Sequence, residues 1–193
     1  MGIKDFFRSA FSGGAASPKG NERIDQLAQH IYESCSDAAD SIVTSHQDVG
    51  DDRHLGISLM FMYGLLHLAD RVAFGTLRNQ RPEVMDRLVI GTAAHAIEAL
   101  SGPAITPAQK KQLVGDLVEK INTAFAAFGQ YKNLTAEKDG PAKGTLLWEF
   151  GKQFADATGY AMDIAYIYEG SATLIAIFER LSVNDAFIAY SKG

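Results

Sequence analysis

Cysteine is nearly missing from this chain. Cys35 stands alone, so neither an intramolecular disulfide nor a paired-cysteine zinc or redox motif is available. Long uncharged runs are missing too. The longest stretch without Asp, Glu, Lys or Arg runs from His54 to Ala69, short of the ~20 apolar residues of a spanning helix. Nor is there an excess of positive charge. Lys and Arg total 18 against 23 Asp and Glu, a formal net charge of -5, which argues against a general nucleic-acid binder. A nucleic-acid role for Arg71, Arg78, Arg81 and Arg87 is the weakest alternative, because Asp70, Glu83 and Asp86 stand beside them. Phosphate-cradling glycine loops, dinucleotide fingerprints and a Gly-x-Ser-x-Gly elbow are all lacking. These absences set the expectations: no cofactor, no nucleic-acid partner, no transmembrane segment, no assigned catalytic residue, and a reducing, cytoplasmic setting.

What the chain does have is helical periodicity. Its 193 residues are 47% hydrophobic and 21% charged, the profile of a globular protein long enough to bury a proper core. Nearly every long segment repeats at helical spacing and almost none alternates as a strand. The expected fold is all-α, a single-domain bundle of about six or seven helices over residues 21–193. A short amphipathic arm and Gly-rich connector, residues 1–20, precede it. In that arm Ile3, Phe6, Phe7, Ala10 and Phe11 fall on helical spacing beside Lys4 and Arg8. Asp5 and Arg8 break any continuous apolar core there, so a secretory signal is not expected.

Boundary signals place the helices. Asn21 is a candidate cap for a helix running to about His46, with Ile24, Leu27, Ile31, Cys35, Ala38 and Ile42 inward. Asp51 or Asp52 is a candidate cap for the most apolar helix, about 53–79. Pro82 suits the first turn of the next, which ends near Ser101-Gly102-Pro103. Thr106-Pro107-Ala108-Gln109 combines a cap, a first-turn proline and a capping-box glutamine. Residues 129–144 read as a long exposed loop. From Thr145 onward Leu147, Gly151, Phe154, Thr158, Ala161, Ala165 and Tyr168 recur at spacings of 4 and 3, the seam of one continuous helix that Gly170 breaks or bends. Ser182 is the candidate cap of a last helix, about 184–190.

Three constellations carry chemistry-bearing side chains. His67, Asp70, Arg71 and Arg78 share one sector of the apolar helix, which is apolar at Gly56, Met60 and Tyr63 and then turns charged. Such a stripe lines a polar pocket or crosses a buried ionic contact, since buried charge needs a partner either way. The segment His46–His54 offers two imidazoles and three carboxylates but matches no dedicated metal motif. Its residues also suit helix ends. His95 and Glu98 reverse the Glu-x-x-His order of di-iron bundles and have no second copy, so a di-iron site is not expected. Glu149, Asp156 and Asp163 recur every seven residues opposite the apolar seam, as a solvated face or an acidic surface for a basic partner.

Two surfaces suit assembly instead: the Phe-rich arm, and the surplus apolar bulk of Tyr160, Tyr166, Ile167 and Tyr168. The leading expectation is a non-enzymatic helical bundle that binds a protein partner or forms a homo-oligomer. The alternative is a small-ligand or metal-binding bundle, conceivably an enzyme, with a polar pocket around His67, Asp70, Arg71 and Arg78.

Overall fold

The computed structural model describes residues 18–135 and 141–192. The amphipathic arm and most of the connector lie outside the described residues. The architecture is all-α, a helical bundle, as the periodicity predicts. Among the described residues seven α-helices follow in order: α1 (Pro18–Ser45), α2 (His54–Thr76), α3 (Arg81–Leu100), α4 (Pro107–Gly129), α5 (Leu146–Thr158), α6 (Ile164–Arg180) and α7 (Val183–Ser191). Single 3-10 turns, Asp51–Arg53 and Arg78–Gln80, lead into α2 and α3.

The chain divides into two compact units. One takes the chain to Tyr32, Ala69–Asn122 and the residues from Ser182 onward; the other takes Glu33–Leu68 and Thr123–Leu181. In the first unit, Gly91 of α3 packs on Ala28 of α1, where a Cβ would sit 3.0 Å from the Ala28 methyl. The buried Thr92 hydroxyl beside it donates to the Leu88 carbonyl at 2.9 Å and reaches the Ala28 carbonyl at 3.4 Å, so close packing leaves no orphaned polar atom. Arg87 grips Asp25 through Nε and Nη2 at 2.7 and 2.5 Å. Such a bidentate pair holds two side chains in one geometry better than a single contact does.

The second unit is built on aromatic rings. Phe61 of α2 lies 5.9 Å from Phe150 and 5.3 Å from Phe154 of α5, centroid to centroid. Phe128 of α4 continues the chain at 6.4 Å from Phe150. These tilted contacts each add about 0.5–1.5 kcal/mol beyond the area they bury. Trp148, the single tryptophan, is buried in α5 of this unit. Helices α5 and α6 approach closely because Gly151 sits against the Ile167 carbonyl and Gly170 against the Phe154 side chain. Ser171 Oγ then donates at 2.8 Å to the carbonyls of Leu147 and Ile167.

Several boundaries differ from those the sequence predicts. Asn21 caps nothing, for α1 already begins at Pro18. Gly50, not Asp51 or Asp52, stands before the 3-10 turn that opens α2. Ser182 occupies the N-cap position of α7 with φ +49 and makes no side-chain cap bond. The largest correction concerns the seam from Leu147. It is not one helix: Gly159, at φ +90, ends α5, with Tyr160 N donating to the Ala155 carbonyl at 2.8 Å. Gly170, expected to break the helix, is buried inside α6 instead. The capping box is as read: Gln109 N donates to Thr106 Oγ1 at 3.3 Å and Thr106 N to Gln109 Oε1 at 2.9 Å. The loop after α4 lies back on α5, where Leu146 N donates to the Asn133 carbonyl at 2.9 Å.

The segment Asp51–Thr76 is long and apolar enough to cross a membrane by length and composition, yet 56% of its most apolar window is buried within the structure. Ile57, Phe61, Leu65, Leu66, Ala69 and Ala73 are fully enclosed.

Chemical denaturation and thiol labelling test this packing. Gly151→Ala, which forces a methyl onto the Ile167 carbonyl, is expected to lose about 1–3 kcal/mol of stability. Gly115→Ala, with open space around an exposed helical site, is expected to gain roughly 0.5–1 kcal/mol. Equal effects of the two would contradict the packing described. Burial pushes the Cys35 thiol far up, so a disulfide reagent should label it only after unfolding; rapid labelling of native protein would refute its enclosure.

Candidate functional site

The turn between α5 and α6 exposes apolar surface and meets a cluster of polar side chains. After Gly159 the chain passes through Met162, also at positive φ (+63). Asp163 then starts α6 as its N-cap, accepting from Ala165 N at 2.8 Å and Tyr166 N at 3.5 Å. Left-handed backbone at a non-glycine side chain is strained, so the close packing of α5 on α6 must hold it.

Against this turn lies the loop that follows α1. The rings of Tyr160 and Tyr166 stack with centroids 4.7 Å apart and planes 5° off parallel. Tyr160 Oη donates to the Asp48 carbonyl at 3.3 Å, and Tyr166 Oη to Asp48 Oδ2 at 3.4 Å. Tyr166 Oη also lies 3.4 Å from His46 Nδ1, while His46 Nε2 pairs with Glu169 Oε1 at 2.9 Å. Val49 is buried below, and the Arg53 guanidinium lies over Gly159. Desolvation, then the Asp48 charge, pushes the Tyr166 phenol up to about 12. The Tyr160 hydroxyl and its own backbone amide hold the Asp48 carboxyl below the usual carboxylate range. This arrangement positions a loop: Tyr160, Tyr166, His46 and Asp48 each bond a neighbour.

The face of α6 turned away from α5 is different. Tyr166, Ile167, Gly170, Ser171, Leu174 and Ile177 are buried. Ile164 is 62% exposed and Tyr168 44%, with Met162 at 58% just before the helix. Ala165, Ala172 and Ala176 complete that exposed face, and Glu169 stands at its edge beside His46. Of the surplus apolar residues singled out from sequence, Tyr166 and Ile167 pack inward and Tyr168 faces outward.

The charged stripe on α2 resolves differently. His67 is buried, with Phe125 edge-on at 5.5 Å and Phe128 tilted at 5.6 Å between centroids. Asp70 belongs to the other unit and is taken up by Arg81, whose Nε and Nη2 donate to its two carboxylate oxygens at 2.8 and 2.6 Å. That pair lifts the Arg81 guanidinium above its ordinary value. Arg81 also lies 5.4 Å from the ring of Phe74, which is 72% exposed. Arg71 is half-buried and Arg78 exposed at φ +49. Arg81 is the partner that sequence spacing missed, because it sits beyond the turn on α3.

The two histidines of the 46–54 segment likewise go to separate acids: His46 to Glu169, and His54 Nε2 to within 2.9 Å of Asp40 Oδ1. Among the described residues no three His, Cys, Asp or Glu side chains gather as a metal site. Glu98 is exposed and pairs with Lys110 at 2.7 Å; Glu149 pairs with Lys152 at 2.7 Å. Asp163, read as part of a solvated acidic row, is a helix cap. Its signal was present: a glycine closing one helix, then an aspartate two residues before Ala165.

The tyrosine cluster gives a pH test. The folded-state phenol of Tyr166 is raised, so the stability it contributes is complete below about 10 and lost as pH rises toward 12. In an absorbance titration at alkaline pH, wild type minus Tyr166→Phe should show one phenol ionising near 12. A difference centred at 10 would mean that Tyr166 is neither desolvated nor beside Asp48.

Comparison with models of protein families, with curated proteins and with solved structures finds no match to this chain.

Proposed function

We propose that this chain is a non-enzymatic helical-bundle protein that works by binding another protein, a second copy included, through the outward face of α6. One observation carries the reading: Ile164 and Tyr168, one turn apart on α6, and Met162 just before it present large apolar side chains to solvent, 44–62% exposed, while the opposite side of the helix is packed. Scattered exposed hydrophobics are ordinary, but adjacent ones at i and i+4 on one face are the mark of an interface. Alanines between them keep the face flat enough for another helix to approach. The setting that goes with this reading is the cytoplasm, with α2 as a core helix rather than a spanning one.

The ligand-pocket reading around His67, Asp70, Arg71 and Arg78 gains no comparable support. Asp70 is occupied by Arg81, and aromatic rings contact His67.

Chemical crosslinking of the full chain in extract tests the proposal. Wild type should give a discrete adduct, of itself or with one partner. Ile164→Ser with Tyr168→Ser should abolish it while the unfolding free energy stays within about 0.5 kcal/mol, as for exposed sites. An adduct that survives the double substitution would refute the α6 face as the binding surface.

A further inference from the structure

Sulfur is scarce in this chain: Cys35 and five methionines, of which Met1 lies outside the described residues. The others are enclosed very unevenly. Cys35 is 1% exposed, Met62 2% and Met85 6%, and Met60 is half-buried on α2. Met162 is 58% exposed. Burial also pushes the Cys35 thiol up, which keeps it from the thiolate form that peroxides attack. Among the described residues, the sulfur open to a reagent in solution is therefore that of Met162.

Its backbone is unusual as well. Asp163 N donates to the Tyr160 carbonyl at 2.9 Å and closes a four-residue turn, of which Met162 is the third residue at φ +63. Positive φ at that place suits glycine or asparagine. A long side chain held there is strained, and glycine would remove the strain, so the residue contributes through its side chain. Gly159 closing α5 and the Asp163 cap opening α6 fix the turn on both sides. The thioether is thus presented by packed helices.

We infer that Met162 is a site of reversible oxidation, at which a hydroperoxide turns the exposed apolar surface at the start of α6 polar. The thioether sulfur attacks one peroxide oxygen: the S–O bond forms as the O–O bond breaks, and sulfur gives up two electrons. The proton of the transferred hydroxyl passes to the departing oxygen, which leaves as water or an alcohol. A dithiol reductant reverses the change, its thiols ending as a disulfide and the oxygen as water. Met162 is no part of the core, so the helices keep their packing while the surface beside Ile164 changes character. That the change releases a bound protein rests on the reading of the α6 face as a binding surface; the chemistry at sulfur does not.

Limiting hydrogen peroxide on the full chain, followed by peptide mass spectrometry, should add one oxygen to Met162 roughly tenfold or more faster than to Met60, Met62 or Met85. The oxidised chain should keep its helical circular dichroism and elute earlier from a hydrophobic-interaction column. It should return to its first position after treatment with a dithiol and methionine sulfoxide reductases for both sulfoxide epimers. Met162→Leu, apolar but without the sulfur, should lose the peroxide-induced shift, and Met162→Gln should elute early before any peroxide. Oxidation spread evenly over Met60, Met62, Met85 and Met162, or a shift that Met162→Leu retains, overturns the inference. Crosslinking in extract separates it from the parent reading. An adduct lost in Met162→Gln and kept in Met162→Leu supports both. An adduct that survives Met162→Gln but not Ile164→Ser/Tyr168→Ser leaves the α6 face an interface and overturns its control by oxidation. No adduct in any form, with selective oxidation and the column shift intact, ends the reading of the face and upholds Met162 as the oxidation site.

Discussion

The close approach of α5 and α6 is the constraint on which the surface chemistry of this protein depends. Gly151 and Gly170 remove two side chains from the contact, so the Ile167 carbonyl and the Phe154 ring move into the space. A buried serine completes the contact: Ser171 satisfies its hydroxyl on Leu147 and Ile167, so the two backbones meet without a stranded polar group. With one side of α6 committed this tightly, its rotation about its own axis is settled. Ile164 and Tyr168 then have nowhere to point but outward. The turn at Gly159 and the left-handed backbone at Met162 are held by the same packing.

Both units bury apolar cores, but the polar and aromatic contacts that add to those cores differ. One draws on bidentate ion pairs, Arg87 with Asp25 and Arg81 with Asp70, each with at least one partner substantially shielded from water. Pairs of this geometry define where side chains sit more than they add net stability, because removing charge from water offsets much of the attraction. The other draws on a line of rings from Phe154 through Phe61 and Phe150 to Phe128 and on to His67. Aromatic packing of this kind is non-ionic and indifferent to salt, and the His67 ring extends it against Phe125 and Phe128.

How much of this was legible in the sequence depended on whether the signal was local. The capping box at Thr106 and Gln109, the first-turn Pro82 and the inward stripe of α1 needed no knowledge of neighbours, and the structure has them. The seam from Leu147 to Tyr168 misled because its spacing runs unbroken through a point where the chain reverses. Residues Leu147, Gly151, Phe154 and Thr158 are buried on α5, while Ala161, Ala165 and Tyr168 are exposed beyond the turn. Periodicity records which residues are apolar, not whether the axis continues. Asn21 is not a cap because α1 begins before it, whereas Ser182 does stand at the N-cap of α7 but, at φ +49, makes no side-chain cap bond: a residue type suited to capping says nothing of the backbone angle it will adopt. The partner of Asp70 was illegible for want of a third dimension, since Arg81 lies on the next helix.

Trp148 gives the protein an internal spectroscopic asymmetry. It is the chain's single tryptophan and is buried in α5, within the ring-packed unit. Its emission is therefore a local gauge of that unit, whereas far-ultraviolet dichroism sums helices from both. Whether the two optical signals change together during unfolding decides if this chain behaves as one cooperative body or as two.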